Sequence, residues 1–254
     1  MRLWVWARRL EGRRRKAATA AQPPSPQGWP QAVHDWLTTA LAEANADISG
    51  IRLQTWGKRR SGGAAPWRAS AETLLADVTQ PRYASRARVR AGMLLSAHQY
   101  EHLNEHGGAR DMRAWWRCCS ARAAGSLVTR ALLQRYLAAL PLLPWAAFAN
   151  HQLEWSPLGH DTVRVRAQCG AVEGSVFLEF GDDGLPARAY ALGRPRIEEQ
   201  GVPERPWRQD FSAYQRLSGA YVPCRLTSAW DMAESSGEAW LTTWQGELEA
   251  VALL

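Results

Sequence analysis

Leu127 to Trp155, LVTRALLQRYLAALPLLPWAAFANHQLEW, is the longest apolar segment of the chain, and it separates two halves that both alternate as strands do. Leu133, Tyr136, Leu137 and Leu140 recur at three- and four-residue spacing, and Leu132 widens the stripe. Arg130, Gln134 and Arg135 fall on the other sides. That pattern predicts an amphipathic helix. Pro141 and Pro144 each remove a backbone donor and restrict the residue before them, so the helix ends there. A second apolar turn, Trp145 to Phe148, follows before the chain turns polar at Asn150. Flanking sheets need something to cover their apolar faces, and this one helix with a broken end is that cover.

The flanks carry period-two patterns. A short helix is expected at Gln31 to Ala44, with Val33, Trp36, Leu37, Ala40 and Leu41 on one face. Ile51 to Gly57 alternates as a first strand, Gly62 and Gly63 mark a turn, and Trp67 to Val78 is extended. In Arg82 to Ala91, Tyr83, Ala87, Val89 and Ala91 face one way, and Arg82, Arg86, Arg88 and Arg90 face the other. Beyond the helix, Val163, Val165 and Ala167 alternate with polar residues, and Val176, Leu178 and Phe180 follow. Gly181-Asp182-Asp183-Gly184 then supplies turn chemistry ahead of Leu185 to Leu192. A polar, Pro-containing loop spans Gly193 to Arg208, and three strands are expected near Tyr221 to Trp230, Glu238 to Gln245 and Glu247 to Leu254. Short turns between consecutive strands make an antiparallel meander. The fold class is therefore mainly β (α+β), in one domain over residues 31–254.

Residues 1–30 are a different material. Ala17 to Pro30 is a Pro-rich linker without periodicity, and residues 1–16 hold seven Lys and Arg against Glu11 alone. That tail carries +6 of the net +7, so the remaining chain is close to neutral. A basic, disordered tail that also holds Leu3, Trp4, Val5 and Trp6 suits an anionic membrane surface better than a specific nucleic acid. With 46% hydrophobic and 22% charged residues, the rest has the composition of a globular domain. Tryptophan stands out, with 14 against 4 Phe, and so many indoles must be buried or line a cavity. Residues 3–7 are too short for a signal h-region, and no window approaches a membrane span. Cys118, Cys119, Cys169 and Cys224 form no Cys-x-x-Cys pair. The expected location is cytoplasmic, peripheral to the inner membrane where the tail makes contact.

Several residues together carry a resemblance. Arg135-Tyr136-Leu137, Pro144, Trp155, the segment PWRQDFSAY from Pro206 to Tyr214, Gly219, Val222-Pro223 and Trp230 resemble a bacterial family catalogued as domain of unknown function 6544. The match is good from Leu127 to the C-terminus, and weaker but collinear from Gly28 to Gly125. The family brings no assigned activity. Its pattern implies an antiparallel, half-open β-barrel with the central helix against its concave face, similar to lipoprotein carriers that hold acyl chains.

One motif points elsewhere. His98-Gln99-Tyr100-Glu101-His102 matches H-x-x-E-H, in which two histidines one helical turn apart bind zinc and the glutamate activates its water. Met93, Ala97, Tyr100 and Leu103 supply a helical apolar stripe for it. No downstream segment identifies a further carboxylate ligand, and in the resembled family this region looks like strand, turn and strand. There is no G-x-S-x-G elbow, P-loop or G-x-G-x-x-G after a strand.

The residues left for a site are Arg135 and Tyr136, with Trp155, Trp207, Tyr214, Trp230 and Trp244 as ligand-binding neighbours and walls. The sequence thus favours a non-enzymatic binder of an apolar or amphipathic, lipid-like small molecule, with no cofactor. A zinc hydrolase using His98, His102 and Glu101, and a membrane-surface or nucleic-acid adaptor acting through the basic residues 1–16, stand as alternatives.

Overall fold

Among the described residues thirteen strands, most of them alternating inward apolar and outward polar residues, pair into one antiparallel sheet. They are β1 (Gly50–Arg59), β2 (Arg68–Asp77), β3 (Tyr83–Arg90), β4 (Ser96–Asn104), β5 (Gly107–Ala114), β6 (Ser120–Ala124), β7 (Glu154–Pro157), β8 (Thr162–Cys169), β9 (Val172–Phe180), β10 (Pro186–Pro195), β11 (Glu204–Leu217), β12 (Ala220–Trp230) and β13 (Leu241–Leu253). The computed structural model describes residues 28–44, 48–90, 95–114, 120–198, 201–232 and 239–254. Residues 1–16, most of the expected linker, Met93, Cys118 and Cys119 lie outside them.

The strand order is β6-β5-β4-β3-β2-β1-β13-β12-β11-β10-β9-β8-β7. Two meanders, one from each half of the chain, are joined where the first strand pairs with the last. The segment between β6 and β7 must therefore run from one edge of the curved sheet to the other, across its concave side. It does so as α2 (Ser126–Ala138), a 3-10 turn at Leu140–Leu142, and α3 (Pro144–Ala149). The result is a half-barrel with a helix inside it.

Leu132, Leu133, Leu137, Leu140 and Leu143 are at most 2% exposed. Each such burial stabilises the fold by roughly 1.5–3 kcal/mol. Two inward glycines let the helix come this close. A Cβ on Gly174 of β9 would stand 3.0 Å from Leu133, and one on Gly108 of β5 would stand 2.9 Å from Leu132. Thr129 ties the same contact by accepting the Gly108 N–H at 2.9 Å. Below α2, α1 (Gln31–Ala40) buries Val33, Trp36, Leu37 and Ala40, with Trp36 edge-on to Phe180.

The central helix covers the concave face, and the sheet wraps it so closely that Gln134 is 5% exposed, donating to the carbonyls of Ser175 and Gly193. Three expectations need correction. Half of the loop expected at Gly193 to Arg208 is strand, since β10 runs to Pro195 and β11 begins at Glu204. Polar residues on both faces of β11 hide its period. The two last strands are one, β13, in which Gly246 is a ladder residue opposite Gly57. Irregularities in its pairing, at Thr243 and Glu249, break the alternation that a sequence reader follows. Trp29, assigned to the linker, packs edge-on against Phe148.

Candidate functional site

α2 packs chiefly against β4–β6 on one side and β8–β10 on the other. It reaches the central floor of the half-barrel through long side chains. Arg135 spans the gap, donating to Glu72 on β2 and to Glu101 on β4. Strand parity puts both carboxylates inward, since Glu72 shares a face with Leu74, and Glu101 with Gln99 and Leu103. Glu101, whose side chain is 1% exposed, also accepts from Arg110 Nε and from Gln99, each at 2.7 Å. Arg59 of β1 donates to the other end of Gln99 at 3.2 Å.

Burial alone would raise the Glu101 carboxyl, but Arg135 and Arg110 outweigh it and hold the group down at about 2. Burial would likewise lower Arg135, yet its two carboxylates hold it well above the ordinary guanidinium value. Neither Glu101 nor Arg135 exchanges a proton near neutral pH, so what the pair offers is fixed charge and hydrogen bonding.

The aromatic side of this inward cluster comes from β11, β12 and β13. Trp207 and Trp230 face each other across the ladder with ring centroids 6.4 Å apart. Arg194 of β10 stacks on them, 4.1 Å from the Trp207 ring and 5.5 Å from that of Trp230. A bulge aims it there. Ala191 pairs with Trp207 and Arg194 with Arg205, so β10 carries one extra residue, which turns Arg194 inward. Trp244 of β13, opposite Ser228 and Arg59, lies over Gly246, where a Cβ would sit 2.5 Å from its ring. Trp207 is buried, whereas Trp230, Trp244 and Arg59 keep part of their surface in solvent.

Of the residues expected from sequence, the structure thus brings Arg135, Trp207, Trp230 and Trp244 to one inward-facing cluster. Tyr136 is elsewhere. Its hydroxyl accepts from Asn150 at 3.1 Å deep in the core, and burial pushes its pKa up. Tyr214 pins β11 to β10 by donating to the Pro186 carbonyl at 2.6 Å. Trp155 packs against the core from the edge strand β7. Arg59, Glu72, Gln99, Arg110 and Arg194 were missed, although each polar residue at an inward position of an alternating strand is itself a signal.

The H-x-x-E-H segment is strand β4, not helix. His98 and His102 point outward, and Glu101 points inward into the arginine cluster. Four residues of strand separate the histidines by about 13 Å, several times the spacing of two ligands on one zinc ion. Burial lowers both, helped at His98 by Arg86 and Arg88, and opposed at His102 by Asp111. Among the described residues no group of three or more His, Cys, Asp or Glu is placed to hold a metal ion. Among them, too, no helix is long and apolar enough to cross a membrane.

A family model described as a family of unknown function (DUF6544) matches residues 19–242. No curated protein matches the chain. Among solved structures, the chain is similar to a DUF1329 family protein from Desulfovibrio piger ATCC 29098, at 9% identity over 88% of this chain and 94% of that one, with a TM-score of 0.46. It is also similar to a LolA superfamily protein from Nitrosomonas europaea, at 10% identity over 87% of this chain and 93% of that one, with a TM-score of 0.44.

Proposed function

The chain belongs to the DUF6544 family, a family of unknown function, and we propose that its half-barrel binds an amphipathic small molecule without transforming it. The observation that carries this reading is the split of the concave face. One zone is closed by packed leucines. The other sets half-buried indoles, Trp230 and Trp244, beside inward arginines. Recesses that combine apolar walls with a few placed polar groups are how small amphipathic ligands are held and oriented. The ion network behind the recess favours binding over acid–base chemistry, because Glu101 stays ionised down to about 2 and its partners are guanidiniums. The walls differ from those expected in sequence. Tyr136 and Trp155 belong to the packed zone, and Trp207, Trp230 and Trp244 form the binding surface.

Native mass spectrometry of protein purified from its host, then denaturation and analysis of the released material, tests this. The expected result is an apolar or amphipathic molecule that Trp230→Glu and Trp244→Glu no longer retain, with their circular dichroism unchanged. Protein of bare chain mass that also fails to take up any dodecyl amphiphile would overturn the reading.

A further inference from the structure

Arg194 is 9% exposed, yet among the described residues no carboxylate pairs with it. One terminal nitrogen reaches the Ala131 carbonyl at a long 3.4 Å, and Nε has no protein acceptor. Its neighbours do not supply the missing charge. Glu72 and Glu101 are already taken by Arg59, Arg110 and Arg135, and Arg135 lies one turn along α2 from Ala131. Four guanidiniums thus share two carboxylates, a net charge of +2 inside the fold. Burial, followed by repulsion from Arg135, draws Arg194 down to about 9, still cationic at neutral pH. The faces of Trp207 and Trp230 offset part of its desolvation, but a stacked ring does not replace a counterion.

Further donors point into the same interior. The Tyr83 hydroxyl is buried without a protein partner, and it lies near enough to Arg194 and Arg135 for each to act on its ionisation. Arg59 Nε is likewise unpartnered. Gln134 Oε1, close by, is a buried acceptor also left without a partner, but it is neutral; a surplus of guanidinium donors and positive charge is the complement of an anion.

We propose that Arg194 receives the acid group, carboxylate or phosphate, of the amphipathic ligand, between the Trp207 and Trp230 faces and the middle of α2 at Ala131. This rests on the binding reading above and specifies the polar end of that ligand. The apolar tail then runs along the half-buried Trp230 and Trp244 toward solvent. A charge-assisted hydrogen bond contributes enough for a preference of roughly ten- to a hundredfold over a neutral head of the same chain length.

The test is calorimetric titration of the stripped full chain with dodecanoate, dodecyl phosphate, dodecanol and inorganic phosphate. The expected result is that one or both acids bind at least tenfold tighter than dodecanol, and that Arg194→Met removes this preference while dodecanol binding stays. The better of the two acids identifies the headgroup chemistry. Arg194→Met should melt no lower than the parent, because it removes a buried charge that lacks a partner. Should it fail to fold, Arg194→Lys must lower the preference while keeping dodecanol binding. Equal binding of acids and alcohol by the parent would overturn the anion site and leave the binding reading intact. Tight binding of inorganic phosphate alone would overturn the amphiphile. No binding of any probe would overturn both.

Discussion

Glu101→Gln isolates the central electrostatic contact of the half-barrel. The carboxylate is 1% exposed and accepts from Gln99, Arg110 and Arg135. The isosteric amide has one acceptor oxygen and turns an NH2 toward guanidinium donors. Arg135 would keep Glu72, and Arg110 would be left with the Ile197 carbonyl at 3.5 Å. Breaking a buried pair from one side costs about 3–5 kcal/mol. With a urea dependence of about 3 kcal/mol per M, the unfolding midpoint falls by roughly 1–1.7 M. The pH dependence supplies an independent measure. The carboxyl sits at about 2 in the fold against an ordinary 4.5. A depressed carboxylate stabilises fully above the unfolded value, and that contribution is lost as pH falls from 4.5 through 2. The difference amounts to about 3 kcal/mol, in line with the lower end of the first figure. Urea unfolding followed by tryptophan fluorescence at pH 7, 4 and 3 should show the gap between parent and variant narrowing as pH drops. A gap under about 1 kcal/mol at pH 7 would show that water already screens the cluster. A gap independent of pH would assign the loss to packing instead of charge.

Other substitutions separate the parts of the molecule. His98→Ala with His102→Ala should change stability by no more than about 0.5 kcal/mol, and metal analysis of the parent should find no zinc that the double variant loses. Tyr136→Phe should cost about 1 kcal/mol in urea unfolding through its lost bond with Asn150, with amphiphile binding unchanged in calorimetry. Gly108→Ala forces a Cβ to within 2.9 Å of Leu132 and 3.2 Å of the Thr129 backbone, and should lower stability by about 1–3 kcal/mol. Deleting residues 1–16 removes +6 of charge, and should abolish any salt-sensitive sedimentation with anionic vesicles while leaving the thermal melt in place.

The central helix and most strands were legible because burial on one face imposes a period, as in Tyr83, Ala87 and Val89 against Arg86 and Arg88. What stayed hidden shares one cause. Bulges shift the period by a residue, so β13 reads as two strands and Arg194 falls in an expected loop. A charged residue inside the half-barrel meets its partners only across the sheet. Glu72 and Glu101 are joined through Arg135, which lies 63 and 34 residues away along the chain. Glu101 was noticed for an imagined zinc ion because its local neighbours are histidines, yet strand parity turns it away from both.

The same parity explains why the helix looked amphipathic. Arg135 and Gln134 are polar for the sake of the sheet that surrounds them, not for water. A cover with a wet outer side would leave the floor strands sealed by leucines. Here ion pairs from Arg135 join the helix to the floor strands instead. Beside them Arg194 has no carboxylate partner among the described residues. A half-barrel meant only to be stable would replace Arg194 with a leucine or methionine, at no cost or to its advantage. Its place there, set by an inserted residue and flanked by two indoles, is the observation on which the proposed anion site rests.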